Sequence, residues 1–186
     1  MSKKRQELID TAIRLFGQHG FHATGIDWIA EEANVSKKTM YQHFRSKDEL
    51  IVAALKHHDG LFRNFFMRAV EDSAETPYER LIAIFDVAHA WFSQHDFYGC
   101  MFINAIGEYS NKNTAIQQTC IEFKRLMSSY IEELANLLAV ENPVELASEL
   151  AILLEGSIVT AQVSRNPNAA STAKKAAKIL IDNEMK

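Results

Sequence analysis

The chain has 186 residues, of which 47% are hydrophobic, and its formal net charge is −4. This length supports one or two domains with a buried core. The N-terminus has no apolar signal core behind its cations, and no apolar run reaches the roughly 18 residues of a membrane span. Two cysteines without a close partner fit a reducing compartment. We therefore expect a cytoplasmic protein that does not contact a membrane.

The charge is unevenly distributed along the chain. Residues 1–50 contain eight Lys or Arg and seven Asp or Glu, whereas residues 51–186 contain 12 and 17. From Ser36 to Lys47 there are four cations and no acid. Nucleic acid would repel the acidic majority of the chain, so we expect any contact with it to be confined to the N-terminal third.

Hydrophobic spacing predicts three helices before residue 48. The first begins after Ser2 and stops at Gly20. A capping box predicts the second, with Thr24 as N-cap and Asp27 reaching back. A tight turn then leads to the third helix, which Ser36 caps. The residues predicted to pack inward around this helix are Val35, Met40 and Phe44.

The rest of the chain predicts further helices, with no two-residue alternation that would indicate strands. Pro77 and Pro143 suit the first turns of two of them. We therefore predict an all-α fold. The expected helices cover approximately residues 47–72, 77–95, 99–107, 111–140, 143–165 and 169–183.

The two short helices from Thr24 to Lys47 have the layout of a helix-turn-helix. Lys37, Lys38, Tyr41 and Gln42 are left on the outside of the second helix, where they suit phosphate and base-edge contacts. Such a helix would enter the major groove of DNA. An ordinary helical hairpin with a solvated, lysine-rich face is the alternative, but cap, turn, buried face and basic face agree in favouring DNA binding.

The stretch TGIDWIAEEANVSKKTMYQHFRSKDEL resembles the tetracycline-repressor (TetR) family of bacterial regulators. The similarity is dense over the first third of the chain, and GCMFINAIGE, from Gly99 to Glu108, is similar to one branch of the family. The resemblance implies a homodimer that binds a near-palindromic DNA operator and represses nearby genes. It also implies a small ligand that respaces the two DNA-binding helices and releases the operator.

This resemblance divides the chain into two domains and assigns DNA contacts. It implies a helix-turn-helix DNA-binding domain over residues 1–47 and a helical ligand-binding and dimerisation domain over residues 48–186. Many members have two hydroxyl residues where this chain has Thr24 and Gly25, although the Gly25 backbone N–H could still serve a phosphate. The DNA-contacting residues implied by the match are Thr24, Gly25, Ser36, Lys37, Lys38, Thr39, Tyr41, Gln42, His43 and Lys47.

Within that set the implied roles differ. Lys37 and Lys38 match positions that face bases or phosphates, and Lys47 matches a phosphate clamp. Gln42 is expected to supply sequence preference. Thr39 and Tyr41 match positions that contact phosphates. Gln42 and His43 match positions that contact bases or the DNA backbone.

Aromatic and methionine residues are dense in the C-terminal part, which favours an apolar or aromatic effector. His89, Asn104 and Tyr109 are the polar candidates for orienting it. The alternative is that most of these residues only fill a core. The expected ligand-binding residues are Phe62, Phe66, Phe85, His89, Trp91, Phe92, Cys100, Met101, Asn104, Tyr109, Phe123 and Met127.

Cys100 suggests a second trigger, in which an electrophile or oxidant modifies the thiol and releases DNA. A reactive thiol needs a lowered pKa, which a helix N-terminus or nearby cations provide. Cys100 precedes a predicted short helix, but no Lys or Arg lies close to it in sequence. A small, buried, unreactive side chain is the other interpretation, and it also applies to Cys120.

No nucleophile elbow, phosphate loop or paired-carboxylate signature is present, so we expect no enzymatic activity and no cofactor. His57 and His58 are adjacent and point to different helix faces, and no Cys/His quartet completes a metal site. The alternative from another class of protein is a helical carrier of lipids or other small molecules, in which the N-terminal hairpin is only structural.

Homodimerisation is expected through the last two long helices. Their small and aliphatic faces suit the close packing of a four-helix interface. Packing within a single chain is the alternative. The residues predicted to form these faces are Leu146, Leu150, Leu153, Leu154, Ser157, Ile158, Ala161, Ala173, Ala176, Ala177 and Leu180.

Overall fold

A computed structural model describes residues 2–109 and 114–185. These residues contain nine α-helices and no strand, which confirms the all-α prediction. The helices are α1 (Lys3–His19), α2 (Ile26–Glu32), α3 (Lys37–His43), α4 (Lys47–Ser73), α5 (Pro77–Phe92), α6 (Met101–Glu108), α7 (Ala115–Ala135), α8 (Pro143–Ser164) and α9 (Asn168–Glu184).

The chain forms two compact units. The first consists of Met1–Phe62 and Cys100–Phe123, and the second of Arg63–Gly99 and Lys124–Lys186. The first unit therefore contains α1, α2, α3 and α6, and the second contains α5, α8 and α9, while α4 and α7 are divided between them. The functional boundary predicted between residues 47 and 48 is a different division and stays a prediction.

In the first unit, α1 packs against α2 and α3. Its buried face follows helical spacing, with Leu8, Ala12 and Leu15 among the enclosed residues. Phe16 stacks on Phe21 with ring centroids 4.7 Å apart, so the loop after α1 also contributes to this core. Burial of this apolar face is the main term that holds the short α2 and α3 in place, because isolated seven-residue helices are unstable in water.

In the second unit, α9 packs against both α5 and α8. A full capping box starts α5: the Thr76 hydroxyl accepts from the Glu79 N–H, and the Glu79 carboxylate accepts from the Thr76 N–H. Small residues on α9 permit close helix approach. Gly99 has φ +84°, a conformation that L-residues rarely adopt, and a Cβ there would displace the end of the Gln162 side chain.

Several predicted helix ends are confirmed and others shift. Pro77 and Pro143 are the first residues of α5 and α8, as expected. The prediction of Thr24 as N-cap of α2 is wrong, because Gly25 occupies that position without a side-chain cap. The helix predicted to reach residue 95 ends at Phe92, and the one predicted to reach residue 140 ends at Ala135. The predicted start of the latter, at residues 111–113, lies outside the described residues.

Among the described helices, none is both long enough and apolar enough to cross a membrane.

Candidate functional site

The turn between α2 and α3 is closed by local hydrogen bonds. Asn34 adopts φ +53°, a left-handed conformation that asparagine tolerates better than most residues. The Val35 N–H donates to the Ala30 carbonyl at 2.9 Å. Ser36 then caps α3, because its Oγ accepts from the Thr39 N–H at 3.1 Å. The predicted turn and the predicted Ser36 cap are both confirmed.

One face of α3 is buried and the other is exposed. The buried side consists of Val35, Met40 and Phe44, as predicted. Lys37, Lys38, Tyr41 and Gln42 are exposed, while Thr39 and His43 are half-buried. This separation leaves a polar, cationic helix surface that can approach phosphates and base edges without disturbing the core.

The two lysines at the start of α3 have different surroundings. Lys37 forms an ion pair with Asp27, with its Nζ 2.8 Å from Oδ1, and the hydrogen bond to Asp27 raises the pKa of Lys37. Both side chains are exposed, so this pair contributes little stability and can exchange for a phosphate. Lys38 and Gln42 make no hydrogen bond or ion pair with any described residue. Lys38 is therefore the lysine that is already available to a partner.

Lys47 lies at the start of α4 and is half-buried. Its Nζ donates to the His22 carbonyl at 3.3 Å, which fixes the side chain beside the loop between α1 and α2. Burial lowers the pKa of Lys47, and the charges of Glu108 and Asp48 act in the opposite direction. Since lysine has three N–H donors, the contact with His22 leaves two for a phosphate.

The other residues of the predicted DNA-contacting set differ in their surroundings. Thr24 is fully buried, and its hydroxyl donates to the Gly20 carbonyl at 2.7 Å, so its side chain cannot reach a phosphate from this position. Gly25 is exposed at the N-cap of α2. The Thr39 and Ser36 hydroxyl oxygens lie 2.8 Å apart. Nε2 of His43 lies 3.5 Å from Oγ of Ser2.

An aromatic cluster in the first unit contains two of the predicted effector residues, Phe62 and Phe123. Phe102 stacks on Phe123 with centroids 3.7 Å apart and an interplanar angle of 7°. Phe62 lies 6.2 Å from Phe123. His58 completes the cluster, 5.8 Å from Phe62 and 5.9 Å from Phe102. Phe102 and Phe123 are buried, so these rings form a largely enclosed apolar cluster that includes the His58 imidazole.

His58 was not predicted as an effector residue. Burial lowers the pKa of His58 to about 4; Asp59 opposes this shift and His57 adds to it. The imidazole is therefore neutral near pH 7, and it makes no hydrogen bond with the described residues. The sequence could have indicated this residue, because His58 lies four positions before Phe62 and therefore on the same face of α4.

The remaining predicted effector residues are divided between the two units. In the first unit, Cys100 and Met101 are buried, Asn104 is half-buried, and Tyr109 stacks on His22 with centroids 4.7 Å apart. The others belong to the second unit, where His89 and Trp91 are half-buried. The buried ones are Phe66, Phe85, Phe92 and Met127. There, Trp91 and Phe92 both pack on Phe97, with centroids 5.1 and 4.9 Å from it.

Among the described residues of the second unit, the grooves considered below involve none of the predicted effector residues. One, of about 640 Å³, is lined by acidic residues of α4 and α5 together with Tyr78 and Lys178. The other, of about 540 Å³, lies between α8 and α9 and is lined mainly by small residues. The second groove is continuous with exposed apolar side chains, since Ile152 is 71% exposed and lines it.

The apolar surface of α8 and α9 differs from the prediction. Most of the residues expected to face a partner are buried within the chain: Leu146, Leu150, Leu154, Ser157, Ile158, Ala161, Ala173 and Ala177. The exposed face of α8 follows helical spacing through Ile152, Gly156, Val159 and Val163. The other predicted residues, Leu153, Ala176 and Leu180, are half-buried, and Leu153 and Ala176 line the groove between α8 and α9.

Comparison with protein-family models identifies two regions of the chain. Residues 8–54 match the model described as "Bacterial regulatory proteins, tetR family". Residues 77–177 match the model described as "Tetracyclin repressor-like, C-terminal domain". Together these matches cover the helix-turn-helix and most of α5 to α9.

Two relatives agree with these models. The chain is 30% identical over 173 residues to the HTH-type transcriptional regulator BetI of Brucella anthropi, covering 90% of this chain and 87% of BetI. It is 40% identical over 77 residues to the uncharacterised HTH-type transcriptional regulator YerO of Bacillus subtilis. That second match spans 41% of this chain and only 27% of YerO.

The fold also matches a solved structure. SCO4454, a TetR-family transcriptional regulator of Streptomyces coelicolor, superposes with a TM-score of 0.90 at 25% identity, over 98% of this chain and 96% of SCO4454. The family and these relatives are transcriptional regulators and not enzymes. The chain therefore belongs to the TetR family of DNA-binding bacterial transcriptional regulators.

Proposed function

We propose that this regulator represses transcription by binding a near-palindromic operator as a homodimer, and that a small apolar or aromatic effector releases it. The observation that supports operator binding is the division of α3 into a buried face and an exposed cationic face. Lys38 and Gln42 on that face make no hydrogen bond or ion pair with other described residues. In a dimer, two copies of α3 would reach successive major grooves about 34 Å apart.

The test is binding of the full chain to the DNA upstream of its own gene, measured by fluorescence anisotropy at several salt concentrations. Each neutralised phosphate lowers the slope of log affinity against log salt by about 0.9. We expect a slope of several units, and Lys38→Ala should weaken binding. Lys175→Ala removes an exposed lysine from α9 and is the matched control. Binding that is weak and insensitive to salt would contradict the proposal.

We expect repression when the operator lies within a promoter, and a reporter gene tests this. The regulator and a promoter that contains the operator are placed together in a host that lacks both. We expect less reporter expression with the wild-type chain than with the Lys38→Ala variant. Higher expression with the wild-type chain would show an activator and would leave the DNA-binding role intact.

For dimerisation, we propose the exposed face of α8 together with the groove between α8 and α9. Exposed Ile152, Val159 and Val163 lie on one side of α8, and small residues such as Gly156 and Ala176 line the groove. A contiguous apolar face of this kind is typical of a protein–protein interface. Its small residues permit the close helix approach of a four-helix interface.

For the effector, we propose a flat molecule that contacts the aromatic cluster of His58, Phe62, Phe102 and Phe123. The stacked rings suit an apolar or aromatic body, and the neutral imidazole supplies one donor and one acceptor. A neutral naphthalene-based fluorophore is a suitable probe. We expect its fluorescence to rise with the wild-type chain and its binding to release operator DNA.

Phe102→Ala tests the location of that probe site. The substitution removes the ring that stacks on Phe123, so we expect probe affinity to fall about tenfold or more. Leu137→Ala, at an exposed position outside this cluster, is the control. Equal probe binding by both variants would place the effector elsewhere.

Covalent modification of Cys100 stays a prediction as the alternative trigger. The thiol lies at the N-cap of α6, but it is only 4% exposed, so a reagent would reach it only after local opening. Cys100→Ser is the direct test. Release of DNA from that variant by an electrophile would exclude the thiol as the sensor.

A further inference from the structure

The last residue of α6, Glu108, contacts the loop that precedes the helix-turn-helix. Its Oε1 accepts from the Phe21 N–H at 2.8 Å, and its Oε2 accepts from the His22 N–H at 2.6 Å. The Glu108 carbonyl oxygen also lies 2.9 Å from Nε2 of His22. Hydrogen bonds to a carboxylate are about twice as strong as neutral ones. One side chain of α6 thus fixes the backbone a few residues before α2 begins at Ile26.

His22 is held from its other side as well. Its carbonyl oxygen accepts from Nζ of Lys47 at 3.3 Å, and its ring stacks on Tyr109 at a centroid distance of 4.7 Å. The ring of Tyr109 also meets Phe21 edge-on, at 6.3 Å. The N–H of His22 therefore binds Glu108 while its C=O binds Lys47. His22 thus connects Glu108 of α6 with Lys47, the residue that matches a phosphate clamp.

The Glu108 carboxylate lies so close to residue 20 that only glycine fits there. Gly20 has φ +84°, and a Cβ at that position would lie 2.9 Å from Oε1 of Glu108. An L-residue there would be strained and would also push the carboxylate away. Glycine at residue 20 and glutamate at residue 108 are thus fitted to each other.

We propose that Glu108 is a positioning residue for DNA binding. By fixing the His22 peptide, its carboxylate holds Nζ of Lys47 where it can contact a DNA phosphate. The inference rests on the proposed operator binding by α3 and Lys47. It goes further, because it makes an acidic side chain of α6 a determinant of DNA affinity.

The sign of the effect separates this role from simple electrostatics. Glu108 is an anion near Lys47, and it therefore repels DNA phosphates. If charge alone mattered, neutralising it would strengthen DNA binding. If Glu108 positions Lys47, the same substitution weakens DNA binding, because the lysine no longer has a fixed site.

The experiment compares the full-length wild type with Glu108→Gln and Glu108→Asp by anisotropy on operator DNA. Glutamine loses the charge and one of the two acceptors, whereas aspartate keeps the charge on a shorter side chain. We expect both to bind about tenfold more weakly, equivalent to the loss of one good contact. Unchanged or tighter binding by either variant would overturn the inference. Glu141→Gln neutralises an exposed acid outside this loop and is the control.

A double-mutant cycle shows whether Glu108 acts through Lys47. Lys47→Ala is measured alone and together with Glu108→Gln. We expect the second substitution to add less than twofold, since the lysine contact has already been lost. Independent, multiplying losses would overturn the positioning role.

Two measurements keep these results interpretable. Stoichiometric titration with DNA gives the fraction of folded, competent protein, so a loss of folding is not counted as a loss of affinity. Lys38→Ala tests the DNA-binding role itself. If Lys38→Ala and Lys47→Ala weaken binding but the Glu108 variants do not, only the Glu108 inference fails. If none of them weakens binding, the proposed function fails as well.

Discussion

The two compact units expose opposite kinds of helix surface. In the first unit, α3 exposes Lys38, Tyr41 and Gln42. In the second, α8 exposes Ile152 and Val163 at 71% and 81%. A solvated cationic face gains by releasing counterions from an anionic partner, whereas an apolar face gains by losing its contact with water. The difference supports the two proposals made above, that DNA binds the first surface and that a second copy of the chain binds the other.

The units also differ in how they bury polar groups. In the first, the Thr24 hydroxyl donates to the Gly20 carbonyl, and Glu108 binds two backbone N–H groups. In the second, the Ser157 hydroxyl donates to a carbonyl within its own helix, and the Tyr130 hydroxyl has no partner among the described residues. The buried Thr24 hydroxyl therefore joins the loop before α2 to the end of α1, whereas distant segments of the second unit are joined by part-buried contacts, such as the Tyr78 hydroxyl donating to Asp182 at 2.8 Å.

The largest effect is expected from placing charges on the apolar face. Ile152→Glu combined with Val163→Glu would bury four carboxylates in a symmetric dimer, at a cost of several kcal/mol. We expect the dimer dissociation constant, measured by sedimentation, to rise at least a thousandfold. Leu137→Glu, at a 66% exposed position outside the groove, is the control. A double variant that stays dimeric would move the interface to another surface.

A smaller effect is expected on the stability of the first unit when the pH is lowered. The pKa of His58 is lowered to about 4 from the ordinary 6.5, so the unfolded chain binds more protons between these values. The stability contributed by the neutral imidazole is complete above pH 6.5 and is lost as the pH falls towards 4. We expect a loss of about 2 kcal/mol between pH 7 and pH 4.5.

Urea unfolding of the wild type and of His58→Phe at the two pH values isolates this term. The phenylalanine variant keeps an aromatic ring in the cluster but has no titrating nitrogen. We expect its free energy of unfolding to fall less with acid than that of the wild type. Identical pH dependence in the two proteins would mean that the His58 imidazole is not protected from protonation.

On the cationic face, Gln42→Ala is expected to weaken operator binding about tenfold, because a paired amide–base contact contributes 1–3 kcal/mol. The loss should be smaller on unrelated DNA. Anisotropy on the operator and on a scrambled duplex of equal length measures both. An equal loss on the two duplexes would make Gln42 a backbone contact instead of a base contact.

The smallest change is expected from Tyr41→Ala. Tyr41 is 47% exposed on the same face and matches a phosphate-contacting position. We expect a loss of about threefold that is the same for all DNA sequences. Competition between operator and scrambled DNA tests this directly. A change in the preferred sequence would show that the ring or its hydroxyl contacts a base.

The sequence was most informative where a structure depends on near neighbours. The Ser36 cap, the burial of Met40 and Phe44, and the first residue of α5 at Pro77 were all predictable. Each depends on side chains within about one helical turn. The N-cap of α2 was missed because the Thr24 hydroxyl has a stronger alternative partner in the Gly20 carbonyl.

The candidate site was only partly predictable for the same reason. Helical spacing separated the exposed residues of α3 from the buried ones, because α3 packs against α1 and α2 through a single face. It could not separate the faces of α8, which has apolar residues on several sides. Ile158 was predicted to face a partner, yet it is buried within the chain, whereas Val163 is 81% exposed.

By itself, the sequence determined the helix-turn-helix and its cationic face, since caps, turns and helical periods arise from residues a few positions apart. Only the tertiary structure decided that Glu108 meets Phe21 and His22, residues 87 and 86 positions away in the chain. It also decided which face of α8 remains exposed. Contacts of this range depend on how whole helices pack against each other, and a periodic pattern within one helix does not specify its neighbours.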